Sequence, residues 1–339
     1  MSTIREVADM AGVSVATVSR TLQQPDRVSP KTRVRVQEAI DHLGYKPNLM
    51  AVKFRSGKTQ VLVALVPTVA NVFFARVIKG MQEAAASQGY SLLLMNTMGD
   101  DDIERNCAKL VDTSQADGVI QLRAFNPFAP DQFQSEALLP MVNACEIVDG
   151  ARFPTVTLDN RAAAKAMTEH LISLGHRRIA MVKGPQSSPL TRDRLAGYED
   201  ALKAAGLSID DSLLCAGDFT LSSGYRAATT LLDLPKRPTA IFCENDEMAM
   251  GAMRKVREAG LSIPEDISIA GFDNIAFSAY AEPPLTTIAQ PAEEFGETAV
   301  NVLIDVLNGK TKHALKVILP FELITRQSTG PAPDSANPQ

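Results

Sequence analysis

Only four histidines and four cysteines occur in 339 residues, which leaves little for histidine- or thiol-based chemistry. Cys107, Cys145, Cys215 and Cys243 lie far apart and form no CxxC pair. They read as reduced, mostly buried thiols rather than a disulfide framework or a zinc site. The nearest histidines, His170 and His176, lack the i, i+4 spacing of a helical metal site. GxGxxG, GxSxG and HExxH are all absent, so neither an enzyme nor a cofactor is expected. No run reaches the ~18 apolar residues that span a bilayer, which argues against a membrane role. The opening MSTIREVADM is charged and has no apolar segment of the signal-peptide kind, so a cytoplasmic location is expected.

What is present suits a soluble protein of two or three domains, with 45% apolar and 22% charged residues. Charge is unevenly spread. Residues 1–58 hold ten Lys and Arg against five Asp and Glu, while the whole chain stands at −5. A small basic head on an acidic body suggests that the head meets a polyanion.

The head reads as three helices. Thr3 and Glu6 form a capping-box pattern before Ile4, Val7, Ala8 and Ala11. Gly12 ends that helix and permits a tight turn. Ser14 caps a second helix through Leu22, so the pair is a helix-turn-helix candidate. Ser29-Pro30 opens a third helix that runs to His42, with an apolar stripe of Val34, Val36, Ala39, Ile40 and Leu43.

AGVSVATVSRTL followed by VSPKTRVRVQEAIDHLGYKPN resembles the DNA-binding head of the LacI/GalR repressors over some fifty residues. The resemblance implies double-stranded operator DNA as partner, with the second helix in the major groove. It assigns Val15 and Ala16 to apolar contact with base edges and Arg20 to a bidentate pair with guanine. Ser14, Thr17, Ser19 and Thr32 become phosphate contacts, and Arg27 a further DNA contact near the next turn. Asn48 can cap a short helix ending near Gly57. The resemblance makes this a hinge helix for the minor groove, with Phe54 as the apolar wedge.

From residue 60 the chain alternates apolar, β-branched runs with helical segments of 10–15 residues. Strands are expected over 60–67, 90–96, 118–122, 139–143 and 155–158, and again over 179–182, 213–215, 239–242 and 267–271. Such alternation means doubly wound α/β layers with parallel sheets, and the number of strands suggests two of them. Residues 60–328 resemble the periplasmic-binding-protein-like core of the same family, through LISLGHRRIAMVKGP, PTAIFCENDEMAMGAM and PPLTTIAQP. FPTVTLDN, FCENDEMAMGA and TTIAQP look closest to its cytidine- and purine-repressor side. The fold class expected is therefore an all-α helix-turn-helix head plus an α/β core of two doubly wound parallel-sheet subdomains. The chain is expected to cross between them near Asp159, residues 284–290 and Pro320.

The boundaries expected are 1–46 for the head, 47–59 for hinge helix and linker, 60–330 for the effector-binding and dimerisation core, and 331–339 for a disordered tail. Open parallel sheets bind ligands beyond the carboxyl ends of their strands. There the sequence places Phe73, Arg194, Phe219, Asn245 and Asp273, which resemble the family's effector-binding residues. Carboxylate and guanidinium groups pair with vicinal hydroxyls, and aromatic faces cover a sugar or a base. A small sugar or nucleoside is the expected effector, and a repressor the expected function. A carbohydrate sensor that binds no DNA, or a carbohydrate-active enzyme, is the alternative. No C-terminal leucine heptad is present, so a homodimer is expected rather than a tetramer.

Overall fold

The computed structural model describes residues 2–45, 58–128, 139–148, 153–311 and 315–333. It divides into two units, Met1–Thr59 and Gln60–Gln339. The short helix expected after Asn48, with Phe54 on it, lies outside the described residues.

In the first unit, α1 (Ile4–Ala11), α2 (Val15–Gln23) and α3 (Pro30–Leu43) follow one another. Thr3 and Glu6 close the capping box reciprocally: Thr3 N–H donates to Glu6 Oε2 at 2.8 Å and Glu6 N–H to Thr3 Oγ1 at 3.3 Å. Gly12, at φ 60°, ends α1 in the left-handed region. Val7, Ala8, Ala11, Val18, Val36, Ala39 and Ile40 form the small core. Val34 is 56% exposed and does not belong to it. It sits two residues before Val36, about 200° round the helix, so only the 3–4 spacing from Val36 onward faces inward. Arg35 donates to the carbonyls of Ala11 and Gly12 and so ties α3 to the turn before α2.

The second unit holds two six-stranded sheets. The first subdomain is built from β1 (Val61–Val66), α4 (Val72–Ser87), β2 (Ser91–Asn96), α5 (Asp101–Asp112), β3 (Gly118–Gln121), β4 (Met141–Cys145) and β5 (Thr155–Leu158). The second takes α6 (Asn160–Ser173), β6 (Ile179–Lys183), α7 (Pro189–Ala204), β7 (Leu214–Ala216), α8 (Leu221–Leu232), β8 (Ala240–Cys243), α9 (Asp246–Glu258), β9 (Ser268–Asp273) and β10 (Thr286–Ala289). The chain then returns to the first subdomain for α10 (Ala292–Leu307) and β11 (Lys316–Leu319), and ends in the second with β12 (Glu322–Ile324). Strand orders are β11-β5-β4-β3-β1-β2 and β12-β10-β9-β8-β6-β7, so the two halves share one strand order.

Three passages therefore join the subdomains: Asp159, residues 290–291 and residues 320–321. Strand pairing is parallel except between β10 and β12, which run antiparallel with Ile288 opposite Leu323. An antiparallel edge pair departs from the wholly parallel sheets expected. It arises because the third passage delivers the chain back to the sheet in the opposite sense. Only the start of the expected tail, residues 331–333, is described, and it is held. Ala332 N–H donates to Leu174 O at 2.8 Å, so the chain past 330 is still fastened to α6, while residues 334–339 lie outside the described set.

Candidate functional site

On the head, Ser14 Oγ accepts the Thr17 amide at 3.1 Å and shares a hydroxyl bond with Thr17 Oγ1 at 2.9 Å. Ser29 and Thr32 repeat the arrangement at the start of α3, at 3.3 and 2.9 Å. These hydroxyls sit where unpaired amides and the helix dipole favour an anion. Ser14, Ala16, Arg20 and Arg27 are exposed; Val15, Thr17, Ser19 and Thr32 are half-buried. Val15 leans on the head core, which leaves it less apolar surface for a base than Ala16 has. Val18 and Thr21 are buried, so α2 turns one face inward and leaves the lane of Ala16 and Arg20 open.

In the second unit a cleft of about 280 Å³ opens between the strand ends of the two sheets. All five residues singled out from the sequence line it: Phe73 from the first subdomain, and Arg194, Phe219, Asn245 and Asp273 from the second. Asn71 caps α4, accepting from the amides of Phe73 at 2.9 Å and Phe74 at 3.4 Å. Phe73 is thereby fixed in the first turn, with its ring edge-on to Phe295 at 6.3 Å. It is 6% exposed, so it serves the core and the cleft wall together.

Arg194 is buried on α7. Its Nε donates to Asn160 Oδ1 at 3.0 Å, Nη1 donates to the Glu244 carbonyl, and the guanidinium lies 3.6 Å over the Phe272 ring. Burial lowers its pKa, opposed first by the nearby Asp273 carboxylate. The Glu244 carboxylate accepts the Gly184 amide at 2.9 Å. Burial pushes its pKa up to about 7, while Arg194 pulls it back.

Asp273 is the last residue of β9 rather than a residue beyond it, as the sequence had suggested. Its Oδ1 accepts from Gln290 Nε2 at 2.6 Å, and burial pushes the carboxyl up to about 7. Such a carboxyl gains from any ligand hydroxyl that restores the hydrogen bonds it lost on leaving water. Asn245 plays a different part. Its Oδ1 caps α9 through the Met248 amide and its Nδ2 donates to the Phe219 carbonyl, both at 2.9 Å. Both polar ends are thus engaged within the protein, and Asn245 shapes the wall by holding Phe219.

Three cleft residues that are not glycine adopt positive φ: Cys145 at 72°, Phe219 at 65° and Asp273 at 109°. Each such conformation costs on the order of 1–3 kcal/mol, and such strain concentrates where side chains are aimed at ligands. Asn160 and Gln290, which orient the arginine and the aspartate, were not singled out from the sequence. They lay within the phrases FPTVTLDN and TTIAQP, whose spacing carries no sign of their orienting role.

Two family models match the chain. Bacterial regulatory proteins of the lacI family match residues 3–48, and a periplasmic binding protein-like domain matches residues 168–329. The HTH-type transcriptional repressor CytR of Escherichia coli strain K12 is 39% identical over 332 residues, covering 98% of this chain and 97% of that repressor. Among solved structures, the Lac repressor dimer bound to operator and the anti-inducer ONPF is similar with a TM-score of 0.87 at 28% identity. That likeness spans 97% of this chain and 99% of the other. The transcriptional regulator CelR–cellobiose complex is similar with a TM-score of 0.73 at 32% identity, over 97% and 100%.

Proposed function

The chain belongs to the LacI family of bacterial regulatory proteins, and from that premise we propose a homodimeric repressor whose cleft takes a small sugar or nucleoside. It is a DNA-binding transcriptional regulator governed by an effector, and not an enzyme. Among the described residues no helix is long and apolar enough to cross a membrane.

The observation that carries the effector reading is the buried pair Arg194 and Asp273, on one subdomain, opposite Phe73 on the other. A guanidinium and a carboxylate side by side match the donor and acceptor faces of vicinal hydroxyls, and the phenylalanine covers an apolar ring face. A ligand touching both walls stabilises one closure angle over others. By linkage, operator DNA and ligand then change each other's affinity by the same factor, typically ~5–150-fold. Calorimetry with and without operator reads this directly. Equal ligand affinity in both titrations would leave the two sites uncoupled and overturn the mechanism.

The dimer reading draws on exposed apolar side chains. Leu93, Leu94 and Met98 are exposed on and after edge strand β2, and Leu221, Phe277 and Tyr280 on the second subdomain. Apolar groups exposed in this way suit cover by a second copy. Two heads would read a pseudo-palindrome, because a single small head buries too little DNA for high affinity. In binding assays Arg20→Ala is expected to cost ~1–3 kcal/mol and relax specificity at one base pair. Arg27→Ala is expected to weaken all sequences alike and to reduce the salt dependence by about one counterion. A half-site bound as tightly as the full site would refute the dimer.

A further inference from the structure

Glu146 has one oxygen on each side of the cleft. Its Oε2 accepts the Ala124 amide at 2.6 Å, in the first subdomain, and its Oε1 accepts from Ser188 Oγ at 2.7 Å, in the second. Ser188 is the N-cap of α7, the helix that carries Arg194. The backbone before Glu146 is bent to put it there. The Glu146 amide donates back to the Ala144 carbonyl at 3.0 Å across Cys145, whose φ is 72°. That is a tight γ-turn of the strained, left-handed kind. A chain that holds a cysteine in this conformation directs the next side chain to one place.

Charge around the cleft adds a second observation. Its lining contributes Glu146, Asp218 and Asp273 as acids, with Glu244 behind Arg194. Against them stand Arg123 and Arg194. Arg123 is already committed: it donates to Glu104 at 3.1 and 3.0 Å and also to Asp101. Among the described residues the cleft lining therefore has no surplus cation to offer a phosphate or carboxylate, and an anion entering it meets acidic groups on both walls.

Resting on the effector reading of the same cleft, we propose that Glu146 is its selectivity latch. Without ligand it fastens the first subdomain to Ser188. It gives up that oxygen only to a ligand with an O–H or N–H donor. The ligand class follows: a neutral, donor-rich molecule such as a free sugar or nucleoside, and not its phosphate ester.

The test uses the full chain and four probes: D-ribose, D-ribose 5-phosphate, cytidine and cytidine 5′-monophosphate. Calorimetry on the wild type is expected to show the neutral member of a pair binding at least about tenfold more tightly than its phosphate ester. Glu146→Gln preserves size and one acceptor but removes the charge, and is expected to weaken the neutral probe about tenfold or more. A phosphate ester that binds as well as its parent overturns the ligand class. A neutral probe that binds equally well to wild type and Glu146→Gln overturns the selectivity role.

A second arm needs no ligand: hydrogen exchange of the wild type and Glu146→Ala. Loss of the latch is expected to speed exchange on both walls, including the amides of Phe73 and Ser223, which Glu146 does not touch. Faster exchange confined to the Ala124 amide and the first turn of α7, or no change at all, overturns the latch. The effector reading stands or falls separately, on whether a compound bound in the cleft alters operator affinity.

Discussion

Asp273→Ala is expected to remove the effect of ligand on operator binding at concentrations that half-saturate the wild type, the largest functional change that a single substitution in the cleft should produce. Asp273 is buried, and its Oδ1 already holds Gln290 at 2.6 Å. Under the proposed effector reading, ligand hydroxyls would therefore meet an acceptor fixed in place beforehand. Truncation removes those charge-assisted bonds and also leaves the Gln290 amide without its partner. Ligand affinity should fall about 100-fold, as expected for losing ~3 kcal/mol of such contacts. Asp273→Asn keeps one oxygen as acceptor for Gln290 but exchanges the charge and the other acceptor oxygen for an NH2 donor, so its loss should be smaller. Operator affinity without ligand should stay within about twofold of wild type, because Asp273 lies in the second unit and the candidate base readers Ala16 and Arg20 in the first. Anisotropy of labelled operator, titrated with a ligand found by thermal-shift screening, gives the reading. A response that Asp273→Ala shows at the same ligand concentration as wild type would place the effector elsewhere.

The size of that response is bounded by how differently the ligand binds the two closure states. Arg194 and Asp273 belong to one subdomain and hold their geometry through Asn160, Gln290 and Phe272. Asn160 opens α6 just after the first passage and Gln290 lies in the second, so both orienting partners sit beside points where the chain crosses. A ligand that draws on the arginine and the aspartate therefore loads the passages as well as the walls. Phe73 on the opposite wall is fixed from beneath by Phe295 of α10, which follows the second passage.

Much of this was legible in the sequence because the signals were local. Alternation of β-branched runs with helical stretches located β1 to β9 within a few residues, since buried parallel strands are continuously apolar. The capping box at Thr3 and the caps at Ser14 and Ser29 were readable for the same reason. The end of the chain was not. β10, α10, β11 and β12 went unassigned, although Ala292–Leu307 is largely buried. All three strands span only three or four residues, and in β11 and β12 only Leu319 is buried, so length distinguishes none of them and two lack a continuous buried run. The five cleft residues were found by position after strands together with their resemblance to the family's effector-binding residues. Their division of labour was not, because it depends on partners far along the chain: Asn245 turns out to brace Phe219, and Asp273 stands within β9. Glu146 gave no signal, since its strained turn exists only in three dimensions.

Gly224→Ala should cause the largest loss of stability, about 3 kcal/mol or more, read as a lower urea midpoint. A methyl group there would lie 2.0 Å from the Met248 carbonyl oxygen and 2.5 Å from the Met248 Cα, both backbone atoms of α9. No rotamer change relieves that overlap, so α8 and α9 must move apart. Both helices pack on the second sheet through Ala227, Ala228, Leu231, Ala252 and Met253, and separation would open this layer. Gly206→Ala is the control. It has φ 69° and no neighbour within 4 Å of the added carbon, so only left-handed backbone strain of ~1–2 kcal/mol is expected. The contact is reciprocal, for a methyl group on Gly251 would lie 2.0 Å from the Leu221 carbonyl oxygen on α8. Once either substitution has parted the helices, the second meets less resistance, and the double variant should lose less than the two single losses added together. Strict additivity would mean that the two glycines relieve independent contacts, and that the helix pair does not move as one body.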